Sequence, residues 1–132
     1  TVVGNWQASA YGQSLRERHA GNPRLQLLDP VYDPQHLMAL REACTVYLHG
    51  HSVGGTNPSL VEMLFYDCPI LCFDVPFHRE TAGDCAGYFA TAPELAALLV
   101  PGRLPPPGDR KALRRRYSAA EIASQYLSLA RT

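Results

Sequence analysis

Short apolar runs alternate with helix-like stretches along the chain, and this alternation limits the possible fold more than any other feature. The runs end at Gly, Asn, Asp or Pro, as buried strands of a parallel sheet do. The predicted strands are Thr1–Val3, Arg24–Leu28, Thr45–His49, Pro69–Phe73 and Gly87–Ala90. The predicted helices are Ala8–Ala20, Pro34–Ala43, Pro58–Tyr66, Pro93–Val100, Asp109–Tyr117 and Ala119–Ala130. Repeated strand–helix–strand units predict an α/β fold, a Rossmann-like parallel sheet with helices on both faces.

The length of 132 residues suits one domain. We expect a single domain over residues 1–132, in which residues 109–132 form the closing helices after a proline-rich turn at Gly102–Gly108. The sequence opens with Thr1-Val-Val-Gly4, which is typical of the end of a buried strand. We therefore expect a truncated domain with further structure upstream.

Composition excludes several classes of protein. Lys plus Arg equals Asp plus Glu, at 12 each, so the strong basic excess of a nucleic-acid-binding domain is absent. No apolar run approaches the roughly 20 residues of a membrane span. The four cysteines lack a C-x-x-C pair, which favours reduced thiols in the core over a disulfide scaffold.

The segment Gly50–Thr56 is the strongest candidate for a ligand site. It follows a predicted strand, and ligands of open parallel sheets bind beyond the carboxyl ends of the strands. Gly54 and Gly55 allow close approach of the backbone, while Asn57 and Pro58 suit the N-cap and first position of the next helix. This order predicts a phosphate site, although glycines also precede helices in ordinary loops.

Glu62 has two interpretations on spacing alone. A carboxylate near the start of this helix can accept hydrogen bonds from ribose hydroxyls. It can equally complete a capping box with Ser59, three residues earlier. The residues themselves leave both open.

The run from His49 to Met63, followed by Asp67-Cys-Pro-Ile-Leu71, resembles the donor-site signature of family-four glycosyltransferases of the GT-B fold. It is most similar to bacterial hexosyl- and rhamnosyltransferases whose loop reads H-S-x-G-G-T-N-P-S-L-x-E. The likeness extends to the segments Val2–Asn5, Asp74–Glu80 and Tyr117–Leu127. The resemblance implies the incomplete C-terminal, donor-binding half of a GT-B fold.

The resemblance also implies roles for individual residues. Glu62 matches the second glutamate of the family's E-x7-E motif, which holds the ribose, whereas the first glutamate falls at Gly54 and is missing. The turn at Asn57 matches the one that contacts the diphosphate and the sugar, and the backbone N–H groups beyond Pro58 must donate. The donor-binding residues expected are His51, Gly54, Gly55, Thr56, Asn57, Pro58, Ser59, Leu60, Glu62 and Arg79.

The activity implied is retaining transfer of a sugar from a nucleoside-diphosphate sugar to a glycan or lipid-linked acceptor in polysaccharide biosynthesis. The nucleotide sugar is a substrate, and neither a cofactor nor a metal is implied, in agreement with the absence of a D-x-D pair. We expect a cytoplasmic protein whose partner is an upstream acceptor-binding domain of the same protein. Because the expected phosphate-binding cations also lie upstream, we expect this chain alone to be inactive, with no catalytic residue assigned.

Other residue groups support weaker alternatives. His49 and His51 lack further ligands at zinc spacing, and no G-x-S-x-G elbow surrounds Ser52, which argues against a hydrolase. The basic run Asp109–Tyr117 suits a solvated helix face, and it also allows contact with an anionic membrane surface. A GT-B-type sugar-nucleotide epimerase and a non-catalytic nucleotide-sugar-binding domain remain as alternative functions.

Overall fold

The computed structural model describes residues 1–100 and 102–130 and divides the chain into two compact units, Thr1–Leu40 and Arg41–Thr132. Each unit contains a small parallel sheet and helices, so the α/β class is confirmed. The strands are β1 (Val2–Val3), β2 (Leu27–Leu28), β3 (Tyr47–His49), β4 (Ile70–Phe73) and β5 (Gly87–Phe89). The α-helices are α1 (Ala10–His19), α2 (Pro34–Glu42), α3 (Pro58–Met63), α4 (Pro76–Ala82), α5 (Ala92–Leu98), α6 (Lys111–Arg116) and α7 (Ala119–Leu129). The single domain over residues 1–132 stays a prediction.

The first unit is organised around Trp6. The strands β1 and β2 pair in parallel, with Val2 opposite Leu27. The indole of Trp6 is buried, and its Nε1 donates a hydrogen bond of 2.7 Å to the carbonyl of Leu28, at the end of β2. A short 3₁₀ helix at Trp6–Ala8 precedes α1, which begins after Ser9 because the Ser9 hydroxyl caps the helix.

The second unit contains a three-stranded parallel sheet in the order β3–β4–β5. Tyr47 lies opposite Ile70, and Leu71 lies opposite Gly87, so consecutive strands are neighbours. Because all three strands run in one direction, their carboxyl ends meet at one edge, where the segment Gly50–Thr56 follows β3. The predicted parallel arrangement is confirmed within each sheet.

The core of the second unit lies between the sheet and α3. Its buried members are Leu60, Met63, Leu64, Cys68, Ile70, Cys72 and Ala82. The central strand β4 is buried along most of its length, which explains why its sequence is continuously apolar. The four cysteines are free thiols, as predicted, and three of them are buried.

The interpretation of the basic run Asp109–Tyr117 as a solvated helix face is wrong for Arg110. Its side chain is only 3% exposed. The guanidinium donates hydrogen bonds to the carbonyls of Met63 and Cys68, at 3.4 and 2.7 Å, and to that of Tyr66. Tyr66 and Cys68 lie after the end of α3, and Met63 is its last residue, whose carbonyl also accepts the N–H of Tyr66. Arg110 therefore fastens the segment after α3 to the start of α6.

Several predicted boundaries were wrong for local reasons. The segment Arg24–Leu28 is extended only at its end, because Asn22 accepts hydrogen bonds from the N–H groups of Arg24 and Leu25 and holds them in a turn. The helix α4 was not predicted at all, although Pro76 stands at its first position. Among the described residues, no helix is both long and apolar enough to cross a membrane.

Candidate functional site

The loop between β3 and α3 offers unpaired backbone donors. Residues from His51 to Thr56 are all exposed. Within the part of the chain that the structure describes, none of their N–H groups donates a hydrogen bond. Gly54 has a φ of 134°, a conformation that residues with a side chain rarely adopt. The loop therefore presents free N–H groups at the carboxyl end of β3.

The backbone N–H groups of Ser59 and Leu60 in the first turn of α3, in contrast, already have hydrogen-bond partners. Asn57 is the N-cap, and its side-chain oxygen accepts the N–H of Ser59 at 2.9 Å. The carbonyl of Asn57 accepts the N–H of Leu60 at 3.0 Å. Pro58 occupies the first helical position, as predicted. A phosphate would have to share these two donors, so the loop N–H groups are the better partners for an anion.

Glu62 does not take part in a capping box. The N-cap is Asn57 rather than Ser59, so Glu62 lies beyond the first turn of α3. Its Oε2 instead accepts a hydrogen bond from the guanidinium of Arg41, the basic residue in the last turn of α2. The side chain of Glu62 is 49% exposed and that of Arg41 is 18% exposed. The carboxylate is thus anchored on one oxygen and remains accessible to a ligand.

Arg79 has a partner within its own segment. Its Nε and one terminal nitrogen donate to the two oxygens of Asp74, at 2.5 and 2.7 Å, and its guanidinium lies 4.3 Å from the ring centre of Tyr88. The paired Arg79 guanidinium lowers the pKa of Asp74. The predicted donor contact of Arg79 would require this fork to open or to be shared.

Three imidazoles meet at the same edge of the sheet. His49 ends β3 and is 1% exposed, and His78 in α4 is fully buried. The ring centres of His49 and His78 are 4.6 Å apart in an edge-to-face arrangement. The exposed His51 stacks on His49 at 4.7 Å with 29° between the ring planes. The loop therefore contacts the sheet edge through His51.

The electrostatics of the edge keep His49 neutral. Burial, followed by the neighbouring His78 and His51, lowers the pKa of His49 to about 4. Burial also raises the pKa of Tyr47 to about 12, so its hydroxyl keeps its proton. The Tyr47 hydroxyl lies 3.1 Å from Nδ1 of His49. The buried imidazole Nε2 atoms of both His49 and His78 have no hydrogen-bond partner among the described residues.

No described group of three or more His, Cys, Asp or Glu side chains has an arrangement suited to a metal ion. Two open depressions, of about 370 and 450 Å³, lie on the surface. The first is lined by Leu28–Asp33 and His36, and the second by residues of β5, α5 and the turn after it. The loop lines neither of them.

The structure brings together two side chains that the sequence analysis missed. Arg41 meets Glu62 across 21 residues of sequence, and nothing local to Arg41 announces this pairing. His78 was detectable in principle, because it follows β4, the parallel neighbour of the strand that His49 ends. The predicted residues from Gly54 to Glu62 form one continuous loop–helix segment, whereas Arg79 belongs to α4.

No protein-family model, no curated protein and no solved structure matches the chain.

Proposed function

We propose that the chain supplies the donor site of a glycosyltransferase, as a Rossmann-like part of the donor-binding half of a GT-B fold. One observation carries the proposal. An exposed loop with unpaired N–H groups follows β3 at its carboxyl end, and the helix directly after this loop contains the half-exposed carboxylate of Glu62. A nucleoside-diphosphate sugar requires both, because it carries a diphosphate anion and a ribose with two hydroxyls.

In this proposal the diphosphate binds to the backbone of the loop. Free N–H groups from Gly54 to Thr56 can converge on phosphate oxygens without breaking a hydrogen bond. The helix α3 has only six residues, so its dipole adds little. The balanced charge of the chain agrees with an anion that is bound through local backbone donors.

Glu62 then accepts hydrogen bonds from the ribose. Arg41 occupies Oε2, which fixes the carboxylate and leaves Oε1 as an acceptor. The ion pair also limits the desolvation cost when a ligand covers the carboxylate, because the charge is already paired. Arg41 is thus a positioning residue for Glu62.

The chemistry proposed is retaining transfer of the sugar to a glycan or lipid-linked acceptor. The chain's task is to stabilise the charge that develops on the departing nucleoside diphosphate, and preorganised N–H groups do this with little rearrangement. No side chain of the chain is assigned a catalytic role, and the acceptor would bind to an upstream domain of the same protein.

Contact with an anionic membrane surface would depend on the basic residues of the run. Of the basic residues from Arg110 to Arg116, Arg110 is buried, Arg114 pairs with Asp67, and Arg116 pairs with Glu80. Among the described residues, Lys111 and Arg115 are the members of the run that lack such partners. Two free charges give an anionic surface only a modest attraction.

The proposal is tested by titrating the 132-residue chain with UDP-glucose, GDP-mannose and dTDP-rhamnose, and with UDP, GDP and dTDP, while amide signals are followed by NMR. We expect at least one pair of ligands to shift the amides of Gly54, Gly55 and Thr56. Gly54→Ala should weaken binding because its φ is unfavourable for alanine, whereas Gly50→Ala, in ordinary backbone and open space, should not. Binding elsewhere, or no binding by any of the six compounds, would refute the proposal.

An acceptor-free assay separates the two alternatives. An epimerase would change the sugar of the bound nucleotide without any acceptor, and a non-catalytic domain would bind the nucleotide sugar without turnover even when joined to its upstream region. Transfer that depends on an added acceptor, measured in the protein with its upstream region, supports the transferase.

A further inference from the structure

The buried pair of imidazoles at the sheet edge contains polar atoms that the chain itself does not satisfy. The Nε2 atoms of His49 and His78 are both buried and both lack hydrogen-bond partners in the described chain. Buried polar groups in folded proteins normally have hydrogen-bond partners, so two unpaired ones on rings whose centres are 4.6 Å apart call for an occupant.

The tautomer of His78 follows from its other nitrogen. Nδ1 lies 2.8 Å from the carbonyl oxygen of Phe73. A carbonyl oxygen can only accept, so Nδ1 carries a hydrogen, and when the ring carries only that one, Nε2 is a lone-pair acceptor. The free atom of His78 therefore needs a donor.

The tautomer of His49 is linked to the direction of its hydrogen bond with Tyr47. The Tyr47 hydroxyl keeps its proton, and within the described residues its hydrogen-bond partner is Nδ1 of His49. When the hydroxyl donates to Nδ1, the hydrogen of the neutral His49 ring is on Nε2. In this arrangement, on which the inference rests, the free atom of His49 needs an acceptor.

We infer that His49 and His78 together form a binding notch for a hydroxyl group of the donor's sugar, which His51 covers when no ligand is bound. A hydroxyl is both a donor and an acceptor, so one such group can satisfy both imidazoles. A phosphate oxygen would meet the lone pair of His78 and be repelled. A metal ion would meet the N–H of His49.

His51 lies against one of the two rings of the notch. Its ring stacks on His49, and it belongs to the exposed loop whose N–H groups donate no hydrogen bond within the described chain. Because the same loop is proposed to bind the diphosphate, its rearrangement around the ligand would move His51 away and admit the sugar. This inference rests on the proposed function.

The test compares nucleotide sugars with free nucleotides in the wild-type chain. Two-bond ¹H–¹⁵N NMR spectra report the protonation and hydrogen bonding of each imidazole nitrogen. With UDP-glucose, GDP-mannose or dTDP-rhamnose, whichever binds, we expect the Nε2 signal of His78 to move as it accepts a hydrogen bond. With the matching free nucleoside diphosphate it should stay in place.

A pair of variants gives a second measurement. In His78→Asn the amide nitrogen can still donate to Phe73, but the Nε2 acceptor is lost. We expect this variant to bind the nucleotide sugar about three- to tenfold more weakly and the free nucleotide equally well. His78→Gln, whose amide reaches the Nε2 position, should recover part of the loss. His19→Asn, in the first unit, is the control and should change neither affinity.

The outcomes separate this inference from the proposed function. If the loop amides respond to nucleotide sugars but the His78 signal does not, or if free nucleotides move it equally, the notch holds water or is purely structural, and the inference is wrong. If no compound shifts the loop amides, the proposed function fails and this inference falls with it. If His78→Asn does not fold, the wild-type spectra decide.

Discussion

The substitution Glu62→Gln separates the ribose-binding role from a structural role. Glutamine keeps the size and one acceptor oxygen but removes the charge. If Glu62 accepts hydrogen bonds from ribose hydroxyls, the change replaces charge-assisted bonds, which contribute about 1.5–3 kcal/mol, by weaker neutral ones. A loss of this size corresponds to a roughly ten- to hundredfold weaker affinity for the donor.

The structural cost of the same change should be small. Its ion pair with Arg41 involves a carboxylate that is 49% exposed, and such pairs contribute about 0–1 kcal/mol to folding. Glu62 also caps no helix, because Asn57 does. We therefore expect the free energy of unfolding to change by less than about 1 kcal/mol, while donor affinity falls by far more.

Affinity is measured by calorimetry with the nucleotide sugar that binds best, and stability by urea denaturation. Ser59→Ala is the matched control, because the donor contact implied for Ser59 belongs to its backbone N–H, which alanine keeps. The Ser59 side chain makes no hydrogen bond in the described chain, so the change should alter neither quantity. Arg41→Gln should also weaken donor binding, since it releases the carboxylate, but less than Glu62→Gln does. Normal affinity in Glu62→Gln would show that the residue is structural and that the ribose assignment is wrong.

Three further changes test the packing and electrostatics of the second unit. Arg110→Met should lower the free energy of unfolding by about 3–5 kcal/mol, because the carbonyls of Tyr66 and Cys68 lose the guanidinium as their partner; urea denaturation measures this, and a loss below about 1 kcal/mol would contradict this role of Arg110. Gly87→Ala should cost about 1–3 kcal/mol in the same assay, because a Cβ there would lie 2.8 Å from Cδ2 of Leu71, which is fully buried, and 3.0 Å from Pro105. Gly50→Ala, in open space, should cost much less, and equal costs would refute the steric argument. The pKa of His49, lowered to about 4 in the folded chain, is about 6.5 in the unfolded chain, so the unfolded state takes up the proton first as the pH falls. This group should therefore not affect the free energy of unfolding above pH 6.5, and should lower it by up to about 3 kcal/mol between pH 6.5 and 4. His49→Phe should remove that decline. An unchanged pH profile of stability in the variant would show that other groups cause it.

The alternation of apolar runs and helical stretches was enough to predict the α/β class, the parallel strands and the position of the loop at a carboxyl edge. These features depend on local patterns, since each strand or helix is specified by its own residues and a parallel connection requires a crossover helix. The cap at Asn57 and the proline that follows it were predictable for the same reason, because a cap acts on residues two or three positions away.

Tertiary structure decided which side chains meet. The sequence left two roles open for Glu62, a helix cap and a ligand-binding residue. The helix begins two residues earlier than a capping box requires, which removes the first role, and the carboxylate pairs with Arg41 instead. Arg110 looked like part of a solvated run, yet it is buried because its guanidinium donates hydrogen bonds to carbonyls 42–47 residues away. His49 and His78 likewise meet only when β3 and β4 pair. Such contacts depend on the relative positions of elements that are distant in the chain, and local sequence patterns do not encode these positions.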